Sequence, residues 1–256
     1  MTTLTVQGLH KTYTLRNGLN FTTLEAVKDV DLDLRPGRTV ALVGQSGSGK
    51  STIAKILAQL EKPTSGTITL DGEPIGTRGK ALAHYRDHVQ MVFQDPFASL
   101  NPFHTIGHHL ERPLLLHRKA TRATLRAKVC ELLERVNLTP ADSFIDRRPH
   151  ELSGGQGQRV AIARALAPEP TVLIADEPVS VLDVSIRLGV LNLLARLQRE
   201  ENLAMLYITH DLATARHFSD EILVMYRGEV VERGPADQVI LEPQAEFTKQ
   251  LLIAAP

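Results

Sequence analysis

The sequence predicts an α/β fold built on a largely parallel sheet. Short apolar runs at Thr39-Val40-Ala41-Leu42-Val43, Val172-Leu173-Ile174-Ala175 and Met205-Leu206-Tyr207-Ile208 have the profile of strands buried on both faces. Helical stretches lie between them, and alternating strands and helices imply parallel neighbours. The chain has 256 residues, 43% hydrophobic and 23% charged, enough for one large α/β domain with a sizeable core or for two small ones.

Taken in order, Ala26 to Leu34 alternates apolar and polar residues, which reads as a strand with one buried face. Arg35-Pro36-Gly37-Arg38 is a turn before the first apolar run, and a glycine-rich loop follows that run. Ile53, Ile56, Leu57 and Leu60 then fall at i, i+3, i+4 and i+7, one apolar helix face. Ser65 to Leu70 reads as a strand closed by the Asp71-Gly72 turn. From Pro96 to Pro149 the character is helical, with Leu125, Val129, Leu132, Leu133 and Val136 on one stripe, so this region reads as a helical subdomain inserted into the core. Near the end, Ile222–Met225 and Glu229–Glu232 flank Arg227-Gly228, a hairpin signal. There is no internal repeat and no low-complexity segment.

Composition excludes several functions. Lys plus Arg number 29, as do Asp plus Glu, so the zero formal charge gives no support to a surface that neutralises nucleic-acid phosphates. Cys130 is the sole cysteine, which rules out an internal disulfide or a cysteine-based zinc or iron–sulfur site within the chain. The opening residues, Met1 to Thr5, lack the basic and apolar regions of a signal peptide. No apolar run reaches the length of about 18 residues or more that a membrane span needs. An association with membranes is therefore expected to go through a partner.

The chemistry concentrates in three segments. Gly44-Gln45-Ser46-Gly47-Ser48-Gly49-Lys50-Ser51 matches GxxxxGK[ST] between an apolar strand and an amphipathic helix. Its glycines allow the backbone to wrap a phosphate chain, and the N–H groups of Gly47 to Ser51, aided by the helix dipole, can face it. Lys50 is expected at the β- and γ-phosphates and the Ser51 hydroxyl on Mg²⁺, with Thr52 completing the ATP contacts. The apolar strand Thr171–Ala175 ends in Asp176 and Glu177. Asp176 suits a Mg²⁺ contact, while Glu177, facing another way, suits a general base or a residue that orients water. Ser153-Gly154-Gly155-Gln156 leads into a second helix start, another anion-binding device. A phosphate loop and a second anion site, both serving one nucleotide, suggest sites that meet across a dimer. Four histidines, His104, His108, His109 and His117, raise the possibility of a metal site, but no carboxylate pattern accompanies them and a polar surface is the better reading.

The succession of phosphate loop, Gln94, Leu-Ser-Gly-Gly-Gln at 152–156, Ile-Ala-Asp-Glu-Pro at 174–178 and His210 resembles the ATP-binding cassette of ABC transporters, from about Leu4 to about Gly234. The resemblance implies a P-loop NTPase (RecA-like) core, residues 1–95 and 155–256, with an N-terminal antiparallel β subdomain and a helical subdomain at 96–154. It implies that Tyr13 stacks on adenine and that Gly44, Ser46, Gly47, Ser48 and Gly49 cradle ATP. Gln94 senses Mg²⁺ and couples to membrane subunits. Ser153 and Gly155 contact the γ-phosphate held by the partner's phosphate loop, Gly154 and Gln156 belong to the same nucleotide-binding segment, Asp183 lies in the loop that crosses the dimer interface, and His210 contacts the γ-phosphate. Two positions depart from the pattern: Gly157 stands where a larger polar residue is usual, which predicts a looser first helical turn by about 1 kcal/mol, and Val181 replaces a common alanine.

Phe93 to Pro102 and Arg147 to Leu152 resemble the peptide, oligopeptide and nickel importer branch, although the tail from Glu242 to Leu252 lacks the branch's usual His-Pro-Tyr. The branch implies an ATPase at the cytoplasmic face of the membrane. Its expected partners are a second ATP-binding subunit, two permeases and, indirectly, an extracytoplasmic solute-binding protein, with no nucleic acid among them. Peptides are the first expectation for cargo, with nickel or oligosaccharide as alternatives. A soluble ABC ATPase acting on ribosomes or DNA usually carries two cassettes or a long insertion, and neither is present. A non-catalytic regulator is disfavoured by intact Lys50, Asp176, Glu177 and His210.

Overall fold

The computed structural model describes residues 2–17 and 20–254, so Met1, Gly18, Leu19, Ala255 and Pro256 lie outside the description. The strands β1 (Leu4–Asn17) and β2 (Asn20–Leu34) form a long antiparallel pair. The chain then enters the core through β3 (Thr39–Gly44) and leaves along α1 (Lys50–Leu57). The strands β4 (Ser65–Leu70) and β5 (Glu73–Pro74) return to β1, giving an antiparallel sheet of order β2-β1-β4-β5. The β4–β5 turn uses positive φ at both Asp71 (55°) and Gly72 (82°), as the Asp-Gly pair predicts. Next come α2 (Gly79–His88) and β6 (Val89–Val92). The helical region holds α3 (Pro96–Ser99), α4 (Ile106–Leu116), α5 (Leu125–Arg135), α6 (Asp142–Ile145) and a 3₁₀ turn at Pro149–Glu151. Then follow α7 (Gly154–Leu166), β7 (Val172–Asp176), α8 (Val184–Glu200), β8 (Ala204–Thr209) and α9 (Leu212–Phe218). The hairpin β9 (Glu221–Tyr226) and β10 (Glu229–Pro235), with α10 (Ala236–Leu241) and α11 (Glu246–Ala254), ends the fold.

The core sheet has the order β10-β9-β3-β8-β7-β6. All neighbours are parallel except β10, which pairs antiparallel with β9 at the edge. Period-two alternation divides its side chains between two cores. Ala41, Val43, Leu173, Ala175, Met205 and Tyr207 join the helices of the middle region, whereas Val40, Leu42, Val172, Ile174, Leu206 and Ile208 pack with α1 and the antiparallel sheet. Burial on both faces explains why these strands read as unbroken apolar runs. The helical region shares one continuous hydrophobic cluster with the sheet: Val129, Leu132, Leu133 and Val136 of the expected stripe are buried in it, and Leu125 packs against it half-buried. Among the described residues, no helix is long and apolar enough to cross a membrane.

Two expectations fail for identifiable reasons. Leu60 does not extend the apolar face of α1 and is 56% exposed. The helix stops at Leu57, Gln59 takes φ 53°, and the N–H groups of Leu60 and Glu61 both donate back to the Lys55 carbonyl. That left-handed cap turns Leu60 away from the face. Nor does Gly157 loosen α7. Ser153 and Gln156 form a reciprocal capping box, the Gly157 N–H donates to the Ser153 carbonyl at 2.8 Å, and a Cβ at Gly157 would meet the Phe97 ring at 2.9 Å. The glycine makes room for an aromatic ring from α3.

Candidate active site

The phosphate loop is shaped by what crowds its ends. A Cβ on Gly44, the last residue of β3, would lie 2.3 Å from the Met225 carbonyl oxygen on the adjacent strand. Gly49 has φ 108°, and a Cβ there would lie 2.2 Å from the Ala26 carbonyl oxygen. The backbone from β2 and β9 therefore approaches too closely for any side chain at these two positions. Lys50 opens α1 and is buried; its Nζ donates to the carbonyls of Gly44 (2.6 Å) and Gln45 (2.9 Å). Burial pushes its pKa down, against the pull of Glu177 and Asp176. The cation thus sits folded onto its own loop.

A cleft of about 680 Å³ opens over this loop. It is lined by Tyr13 of β1 and by Gln45, Ser46, Gly47, Gly49, Lys50, Ser51 and Thr52 of the loop and α1, together with Gln94, Glu177 and His210. Leu24 and Ala26 of β2 complete the wall, so the antiparallel sheet closes one side of it. Lys11 Nζ stands 4.8 Å from the centroid of the Tyr13 ring and pairs with Glu61 at 3.0 Å. Ser48 is buried and its Oγ has no hydrogen-bond partner among the described residues, while its carbonyl accepts from the Gly228 N–H at 3.0 Å.

The two acids at the end of β7 face different ways. Asp176 is buried, with Oδ1 accepting from Ser51 Oγ at 3.1 Å. Burial raises its pKa, opposed by that hydrogen bond. A buried carboxylate beside a serine hydroxyl, with the Gln94 amide near, is a hard oxygen donor set that fits Mg²⁺. Glu177 adopts φ 45°, a left-handed backbone uncommon for a residue with a side chain, and its N–H donates to the Ile208 carbonyl at 2.9 Å. Such a conformation costs on the order of 1–3 kcal/mol and persists only where its surroundings enforce it. Here it places Glu177 Oε2 at 3.4 Å from Gln94 Nε2 and 3.3 Å from His210 Nδ1. His210 itself is held between β8 and the Asp211 cap of α9, whose carboxylate accepts from the N–H groups of Ala213 and Thr214.

The signature segment is not part of this cleft. Ser153 and Gln156 cap α7, while Gly154 and Gly155 pack on the 182–186 segment: a Cβ at Gly155 would lie 2.5 Å from Ile186 Cγ2. Asp183 is exposed at the start of α8 on that same segment. The fold thus divides the residues named from the sequence between two places. Leu24 and Ala26 of β2 were not expected there, and their places in the cleft follow only from strand packing. The histidine group does not have helical i, i+4 geometry. His104 lies ahead of α4, its ring stacks on His108 at 4.1 Å, His109 bonds the Asn101 carbonyl, and His117 engages Asp87.

The family profile described as ABC transporter matches residues 27–180, more than half of the chain. The chain belongs to the ABC transporter family. It is 47% identical over 99% of its length to the glutathione import ATP-binding protein of Pectobacterium atrosepticum, of which it spans only 41%. It is 43% identical over its full length to the di/tripeptide transport ATP-binding protein of Pseudomonas aeruginosa, spanning 79% of that protein. A dimeric, post-hydrolysis structure of the ATP-binding cassette MJ0796 bound to ADP and Pi superposes with a TM-score of 0.79 at 32% identity, covering 91% of this chain and 98% of that one. The ABC ATPase fold and the likeness to peptide-import cassettes expected from the motifs are borne out.

Proposed function

We propose that this cassette binds and hydrolyses ATP as one of two paired subunits and so powers import of a peptide-type solute through two permease subunits at the cytoplasmic face of the membrane. The observation that supports it most is the division of the motifs. One cleft collects Tyr13, the phosphate loop, Gln94, Glu177 and His210, while the signature loop and Asp183 lie together outside it with Ser153 exposed. A second cassette in the opposite orientation would bring its signature loop to the nucleotide held here, and this chain would return the contact. ATP then acts as the adhesive between subunits.

Within that site, backbone N–H groups of the phosphate loop and Lys50 hold the β- and γ-phosphates. Ser51, Asp176 and Gln94 would hold Mg²⁺, which when bound neutralises charge on the phosphate oxygens. Glu177 orients the attacking water and accepts its proton as the water oxygen bonds to the γ-phosphorus and the bond to the β-phosphate oxygen breaks. His210, beside Glu177 Oε2, holds that carboxylate in line and contacts the γ-phosphate. Loss of the γ-phosphate removes the bridge to the partner's Ser153, and the dimer opens.

Peptides are the assigned cargo class because the relatives named for dipeptide, di/tripeptide and glutathione import align with nearly all of this chain. Vesicles carrying this subunit, its permeases and its binding protein should hydrolyse ATP several-fold faster when di- or tripeptides are added. Stimulation by nickel or oligosaccharide instead, with none by peptides, would move the chain to another cargo class.

A further inference from the structure

The signature helix α7 carries a side chain that packing alone does not explain. Gln158 lies two residues past Gln156 and is completely buried. Its Nε2 donates to the Phe93 carbonyl at a long 3.5 Å, and its Oε1 has no hydrogen-bond partner among the described residues. A buried carboxamide so poorly bonded is a liability, and an apolar residue of the same size would hold the fold better. Its single bond, however, reaches the residue directly before Gln94.

Two further contacts fasten the same segment to α7. The Phe97 ring sits on Gly157, and half-buried Arg164 donates to the Ser99 carbonyl at 2.5 Å. The stretch from Phe93 to Ser99, which continues directly from β6, is therefore tied to α7 closely at Ser99 and by a long bond at Phe93. Gln94, next to Phe93, is the residue whose Nε2 lies 3.4 Å from Glu177 Oε2.

We propose that Gln158 is a positioning residue for ATP hydrolysis: its carboxamide ties the backbone at Phe93 to α7, so that the position of the signature helix sets the position of Gln94 against Glu177. The inference rests on the site reading above and adds the link between its two halves. When a nucleotide on the opposing subunit engages Ser153 at the head of α7, any shift of the helix is passed through Gln158 to the Gln94 end of the segment. Gln158 touches neither nucleotide nor water itself.

Gln158→Met separates positioning from packing, since it keeps the volume and removes the hydrogen bond. The expected result is a Tm equal to or above that of the natural protein, an ATP KM within about twofold, and a kcat lowered about tenfold. On the isolated chain, the Mg²⁺ concentration that half-saturates binding of a fluorescent ATP analogue should rise several-fold, with binding in the absence of Mg²⁺ unchanged. A structural role alone would lower Tm and spare the ratio of Mg²⁺-dependent to Mg²⁺-independent binding, and that pattern, or wild-type kcat and Mg²⁺ response, overturns the proposal. Glu177→Gln assayed beside it distinguishes the two levels. If that variant also turns over normally, the site reading itself is wrong; if only Gln158→Met is silent, the positioning role alone is lost.

Discussion

Glu177→Gln is expected to stop turnover while leaving ATP binding intact. The substitution preserves shape and the neighbours at Gln94 and His210, but an amide cannot accept the proton of the attacking water. General-base catalysis contributes on the order of 10²–10⁴-fold, so kcat should fall by at least about a hundredfold. Because the γ-phosphate then persists, ATP-bound dimers should accumulate, visible as a doubling of mass by light scattering. The left-handed backbone of Glu177 adds a control. Glu177→Gly relieves the φ 45° strain while deleting the carboxylate, so it should be as inactive as Glu177→Gln without loss of Tm.

Lys50→Met should act at the earlier step. Among the described residues Lys50 Nζ is bonded to the Gly44 and Gln45 carbonyls, and burial already lowers its pKa, so the nucleotide-free chain holds this charge at a cost. Replacing it by methionine should leave Tm unchanged or slightly higher. Charge-assisted bonds contribute about 1.5–3 kcal/mol each, and loss of those to two phosphates should weaken ATP binding at least about a hundredfold, measurable by calorimetry. Opposite signs for stability and binding are what a group stored for a ligand produces.

How much of this was legible in the sequence depended on the range of the interactions. The phosphate loop, the acids at the end of β7 and the apolar strands are local patterns with local causes, and each stands in the fold where the pattern placed it. The Asp71-Gly72 turn and the hairpin at Arg227-Gly228 are local in the same sense. Leu60 was misread because a helix period says nothing of where Gln59 turns left-handed. The meaning of Gly157 was invisible because its neighbour, Phe97, is distant in sequence and meets it only when α3 packs on α7. Gln158 was passed over for the same reason: a glutamine in a helix looks solvated until its burial is known. The separation of Ser153 and Asp183 from the cleft follows from tertiary packing as well, although the presence of two anion-binding loops had already suggested a divided site.

That divided site is the central claim, and Ser153→Glu tests it most directly. The carboxylate would place a negative charge where the partner's γ-phosphate is to be bound, far from this chain's own cleft. Affinity for ATP on the isolated chain, and the ATP-dependent doubling of mass in the Glu177→Gln background, should be measured together. The account predicts unchanged affinity and loss of the dimer. A fall in the affinity of the isolated chain, or a dimer that persists, would contradict a nucleotide shared between two cassettes.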